Sequence, residues 1–181
     1  GFAASAFSFH AVMPSLAELG TTVAFDRPAF GLTERPMPGE WDGENPYTLE
    51  AQADQTVALM DRIGLGKAVL VGHSAGGAVA ILAALRHPER VQALILVDAA
   101  VYQGGTPGWL DPLLRTPQMR RLGPLLAREF VRRGSRLLGS AWCDPSRLTT
   151  GTVEGYEKPL WVKNWDRALW ELVMASRPLE L

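Results

Sequence analysis

Apolar residues recur at helical spacing through "ASAFSFHAVMPSLAELG" (4–20), a run that stops on Gly20, so a helix is expected there. "TTVAFD" (21–26) is short and β-branched and predicts a strand. "RPAFGLTERPMPGE" (27–40) is rich in Pro and Gly and predicts a loop. "YTLEAQADQTVALMDRIGL" (47–65) predicts a second helix with Thr48 as its N-cap. Lys67 to Gly72 is a short apolar run and predicts a strand, Ala75 to Leu85 a helix, and residues 92–97 of "HPERVQALILVDAA" another buried strand. Strands alternating with helices imply an α/β class with a parallel sheet flanked by helices on both faces.

After residue 100 the strand pattern ends. Helices are expected over 116–139, interrupted near Gly123-Pro124, and over 159–176. Five of the six tryptophans lie here: Trp109, Trp142, Trp161, Trp165 and Trp170. Charge changes sign at the same place. Residues 1–100 carry six basic against eleven acidic side chains, whereas residues 101–140 carry seven arginines against Asp111 and Glu129. The boundary is therefore set just after "LILVDAA": a core over 1–100, a helical lid or cap over 101–178, and a few residues, 179–181, that begin a further piece of core.

The composition narrows the chemistry. A chain of 181 residues, 47% hydrophobic and 20% charged, has the make-up of an ordinary globular domain. Its net charge of -1 gives no sign of nucleic-acid binding. One cysteine, Cys143, excludes an internal disulfide and a thiolate metal cluster and fits a reducing, cytoplasmic compartment. No apolar run reaches the roughly 20 residues that a membrane-spanning helix needs. No cofactor and no metal are expected, and the partner expected is a small-molecule substrate.

The chemical signal is "GHSAGG". Gly72-His73-Ser74-Ala75-Gly76 fits G-x-S-x-G between a predicted strand and a predicted helix. A serine at such a corner must take a strained backbone conformation for its Oγ to stand clear of the sheet. Gly72 and Gly76 are expected to let strand and helix approach closely. The N–H of Ala75 then lies at a helix N-terminus, aimed at a developing oxyanion. The alternative is a Gly/Ser-rich turn without chemistry.

With this motif the chain resembles the α/β-hydrolase superfamily, in the group with a helical lid. "VAFDRPAFGLTERP" (23–36) is similar to that family's D-R-P-G-F-G-x-S-x-R-P, with Ala29 in place of a glycine and Thr33 in place of a serine. "LILVDAA" (94–100) resembles the strand leading into the lid. The resemblance covers about residues 1–100. It implies Ser74 as nucleophile and a second oxyanion donor from the N–H of Phe2. It also implies a triad in the chain order Ser, acid, His.

That order requires a histidine after Ser74, and the three histidines are His10, His73 and His87. His73 neighbours the nucleophile and points away from it. His87, in "RHPER", reads as a helix C-cap, and His10 as a packing or surface residue. Asp98 is the one acid candidate; its other reading is a structural aspartate at a strand end. Asp26 reads as a loop organiser, its carboxylate bonding nearby backbone N–H groups. The expectation is a hydrolase fragment truncated at both ends, whose base lies outside these residues. In the parent protein it implies an esterase-like serine hydrolase acting on a small apolar or aromatic ester. The alternatives are a non-catalytic ligand-binding relative, a C–C hydrolase and a cofactor-free haloperoxidase-like enzyme.

The arginines at 115, 120, 121, 128, 132, 133 and 136 alternate with Met119, Leu122, Leu125, Leu126 and Phe130, a basic amphipathic helix. Its arginines are expected to form a solvated outer face, with contact to anionic lipid or an anionic substrate as the alternative.

Overall fold

The computed structural model describes residues 1–101, 108–136, 139, 142–177 and 179. The lid boundary at 101–178 and the expected helix over 116–139 therefore fall partly outside the described residues, as does most of 179–181. Two compact units emerge. One joins Gly1–Phe2, Met37–Arg115 and the chain from Glu171 onward; the other joins Ala3–Pro36 with Thr116–Trp170. This partition differs from a single cut at residue 100, because the segment 3–36 groups with the helices that follow residue 116.

The first unit holds the sheet. Helix α2 (Leu49–Arg62) starts at Thr48, whose Oγ1 accepts from Ala51 N at 3.2 Å. Its inner face buries Ala51, Ala53, Val57 and Met60. Gln52 is buried on the same face and satisfied, its Nε2 donating to the carbonyls of Tyr47 (3.0 Å) and Thr48 (3.2 Å). Strand β1 (Ala68–His73) pairs in parallel with β2 (Val91–Val97), from Val69 opposite Ala93 to His73 opposite Val97. Parallel neighbours need a crossover, and helix α3 (Ala75–Arg86) supplies it. It packs against both strands and against α2, and it buries Gly77, Ala78, Val79, Ala80 and Ala83.

The strands lie where the pattern put them, but β2 is not the buried strand expected. Among the described residues β1 and β2 pair only with each other. Val69, Val71, Ile95, Leu96 and Val97 are exposed. Near-continuous apolar runs of this kind belong to sheets covered on both faces.

The second unit corrects three expectations. The helix expected over 4–20 is broken into a 3₁₀ turn (Ala6–Phe9) and a short helix, α1 (Met13–Ala17). Pro14 cannot donate an N–H and its ring clashes with the carbonyl four residues earlier, so it sits in the first turn of α1. Residues 21–26 form no strand, since none of the described strands lies alongside to complete a ladder. The break expected at Gly123-Pro124 does not occur: α5 (Pro117–Arg136) runs through Pro124, following a short helix α4 (Asp111–Leu114) in the first unit. Arg120, whose carbonyl loses its intrahelical partner to the proline, is exposed, and water satisfies such a group.

Helix α6 (Thr150–Glu157), capped by Thr149, was not anticipated because Gly151 and Gly155 weaken its pattern. Gly155 has a reason: the Phe7 ring occupies the place of a Cβ there. Phe7 also meets Tyr156 edge-on at 5.3 Å, and Trp142 meets Tyr156 at 5.8 Å. The last helix, α7 (Trp165–Ala175), is preceded by a 3₁₀ turn over Lys158–Trp161, so the helix expected over 159–176 is two elements. Trp170 lies where a side chain on Gly123 would be, and Arg128 Nε reaches the buried carboxylate of Asp166 at 2.7 Å.

Candidate active site

Ser74 stands alone between the end of β1 and the start of α3. Its backbone has φ 52° and ψ −125°, a region that side-chain-bearing residues rarely adopt. Neighbouring chain fixes it. Ser74 N donates to Val97 O (3.1 Å), and Ser74 O accepts from Gly77 N (2.9 Å) and Ala100 N (3.0 Å). The corner is tight because Gly72 has no side chain: a Cβ there would lie 2.6 Å from Gly77 Cα and 2.7 Å from Gly76 O. The second close approach differs from the one expected. A Cβ on Gly76 would meet nothing among the described residues within 4 Å, whereas one on Gly77 would collide with Ala99. Gly77, outside the five-residue motif, closes the corner.

Ser74 is half-buried and its hydroxyl makes no cap hydrogen bond. Ala75 opens α3, where backbone N–H groups have no partner within the helix. The chain start comes to the same place. A Cβ on Gly1 would sit 3.5 Å from Ser74 Cβ and 3.4 Å from His73 Nδ1, which brings the Gly1-Phe2 pair beside the elbow. Phe2 and His73 are both exposed.

The histidines have other occupations. His87 caps α3, its N–H bonded to Ala83 O, and its Nε2 lies 2.7 Å from Asp54 Oδ1. Arg86 grips the same carboxylate with Nε (3.0 Å) and Nη2 (2.7 Å). The Arg86 hydrogen bond holds the Asp54 carboxyl below its ordinary value; burial opposes this and the His87 bond adds to it. Asp54 was missed in the sequence because its partners are 32 and 33 residues away and no local pattern links them. His10 stacks on Phe7 (4.2 Å) with Nδ1 2.7 Å from Phe7 O. Asp98 follows β2 directly, one residue past the carbonyl that holds Ser74 N. It is exposed with φ 45°, a conformation aspartate tolerates.

In the second unit Asp26 organises its loop as expected. Its carboxylate accepts from Ala6 N (2.6 Å) and Leu32 N (3.0 Å), and its carbonyl accepts from Thr33 Oγ1 (2.6 Å). The carboxylate fills the space a side chain on Gly31 would need. Ala29, where the resemblance expects glycine, has φ 74° and a buried methyl. The Arg27 guanidinium lies over the Phe30 ring at 4.8 Å, and burial pushes it down to about 10. Buried Arg35 donates to Gly31 O (2.6 Å) and Thr33 O (3.0 Å), fixing the loop from within. Among the described residues no group of three or more His, Cys, Asp or Glu side chains is placed to hold a metal ion.

A family model described as alpha/beta hydrolase fold matches residues 1–168. Over 89 residues the chain is 38% identical to a 2-hydroxymuconate semialdehyde hydrolase of Pseudomonas sp. CF600, a match covering 49% of this chain and 29% of that protein. It superimposes on Cfl2 of Burkholderia cenocepacia with TM-score 0.74 at 24% identity, over 97% of this chain and 60% of that one. It also superimposes on a meta-cleavage product hydrolase of Pseudomonas fluorescens IP01 with TM-score 0.65 at 25% identity, over 94% and 57%. The chain thus spans about three fifths of these structures and a smaller part of the curated relative.

Proposed function

Since the chain belongs to the α/β-hydrolase family, we propose that Ser74 is the nucleophile of a serine hydrolase. The observation that carries this is the elbow itself: a serine in a strained conformation, held by three backbone hydrogen bonds, with a hydroxyl that has no capping role. Its Oγ attacks the substrate carbonyl. The N–H groups of Ala75 and Phe2 hold the oxyanion, the leaving alcohol departs with the proton that the base took from Ser74, and water releases the acyl group. The base is a histidine outside these 181 residues, and Asp98 is the carboxylate this chain offers to orient it. The tryptophans after residue 100 favour a small apolar or aromatic ester. The single cysteine accords with a cytoplasmic setting.

A second reading has its own support. A semialdehyde of a muconate carries no ester or amide bond, so a hydrolase acting on one must cleave carbon–carbon. The relative named for that compound, together with the meta-cleavage product hydrolase, favours the same bond class here. The full-length protein, assayed on short p-nitrophenyl esters and on 2-hydroxymuconate semialdehyde, separates the two. Turnover that is lost by about 10⁶ in Ser74→Ala is expected on the ester. Turnover confined to the semialdehyde selects the second reading. A folded protein that binds these compounds and turns over neither is the non-catalytic relative. The 181-residue chain alone is expected to be nearly inactive in the same assay.

A further inference from the structure

Three residues from three places in the chain meet at the corner that carries Ser74. Gly72 lies near the end of β1, Gly77 in the first turn of α3, and Ala99 two residues past β2, all within one compact unit. A Cβ on Gly72 would lie 2.6 Å from Gly77 Cα and 2.9 Å from Gly77 N. A Cβ on Gly77 would in turn collide with the Ala99 methyl and lie 3.0 Å from Ala99 Cα. The gap between Gly77 and Ala99 has room for one methyl group, and Ala99 carries it.

The same stretch is bonded to the nucleophile's backbone. Ser74 N donates to Val97 O (3.1 Å), and Ser74 O accepts from both Gly77 N (2.9 Å) and Ala100 N (3.0 Å). The two donors that converge on Ser74 O therefore come from the residue that meets the Ala99 methyl and from the residue that follows Ala99. A change in the spacing between Gly77 and Ala99 must lengthen or tilt at least one of these bonds. Ser74, at φ 52°, keeps its strained conformation only while its surroundings over-determine it. The Ala75 N–H belongs to the same first turn of α3 as Gly77 and moves with it. We propose that Ala99 is a positioning residue for Ser74: its methyl sets the distance of the first turn of α3 from the chain leaving β2, and so aligns the Ser74 hydroxyl with the Ala75 N–H. Ala99 acts through Gly77 and touches no reacting atom. The role rests on Ser74 being the nucleophile.

The test is a double-mutant cycle in the full-length protein: Gly77→Ala, Ala99→Gly and the two together. Each variant is followed by kcat and KM on the substrate that the parent turns over, by the rate at which a fluorophosphonate modifies Ser74, and by urea unfolding. Gly77→Ala places two methyls where one fits. A misplacement of about 1 Å can cost on the order of 10²-fold, so kcat and the labelling rate should fall by about that much while KM holds. The double variant moves the single methyl from one residue to the other and should recover at least about tenfold of the loss. Ala99→Gly introduces no clash, so it tests the role even if Gly77→Ala does not fold; it should lower kcat, less than Gly77→Ala does, again without raising KM. A double variant as slow as Gly77→Ala alone would overturn the proposal. So would an Ala99→Gly variant with parental kcat, or variants that lose stability while each folded molecule keeps the parental kcat and labelling rate. A folded parent in which Ser74 takes no label and Ser74→Ala keeps full turnover is a different result: it removes the nucleophile assignment, and the positioning role falls with it.

Discussion

Ser74 and Ala29 both hold side chains at positive φ, 52° and 74°, in corners of different compact units. At Ala29 the structure gives something back. The methyl is buried beside Phe30 in the sequence, in a loop fastened by Asp26 and Arg35. At Ser74 no structural return is visible. The hydroxyl caps nothing, the residue is half-buried, and three backbone hydrogen bonds with Gly72 and Gly77 are needed to keep it in place. Strain offset by packing is a cost of building a loop. Strain that stability does not explain points to use of the side chain itself.

That contrast can be broken by giving each corner a glycine. Ser74→Gly should stabilise the protein, by about 1–3 kcal/mol in urea unfolding, while removing turnover. Destabilisation would mean that the hydroxyl holds the fold together, and the comparison would fail. Ala29→Gly should have the smaller effect. Relief of the left-handed conformation gains about 1–2 kcal/mol, but losing the buried methyl forfeits about 0.8 kcal/mol. The net shift should stay under about 1 kcal/mol. A larger gain at Ala29 than at Ser74 would reverse the ranking on which the site assignment leans.

The same two regions differ in how far the sequence reveals them. The run β1–Ser74–α3–β2 was legible because each feature is local: an apolar run, a glycine-framed serine, a helical period, a second apolar run. Even there Gly77 was overlooked, since its collision with Ala99 arises only when α3 lies against the end of β2. In the other unit the contacts are distant in sequence. The ring of Phe7 explains Gly155, and Trp170 explains Gly123, but neither glycine carries a signal of its own. A strand at 21–26 depends on a neighbour to complete it, and β-propensity cannot supply one. The leucines of α5 followed the expected period, yet periodicity does not say which face turns inward, and the structure turns the small one.

The central claim is that Ser74 is a nucleophile. A fluorophosphonate, which phosphonylates only an activated hydroxyl, reads this directly in the full-length protein. Peptide mapping by mass spectrometry should place the adduct on Ser74 alone, and Ser74→Ala should carry none. An adduct on another residue, or no adduct on a folded protein that hydrolyses esters, would contradict the assignment.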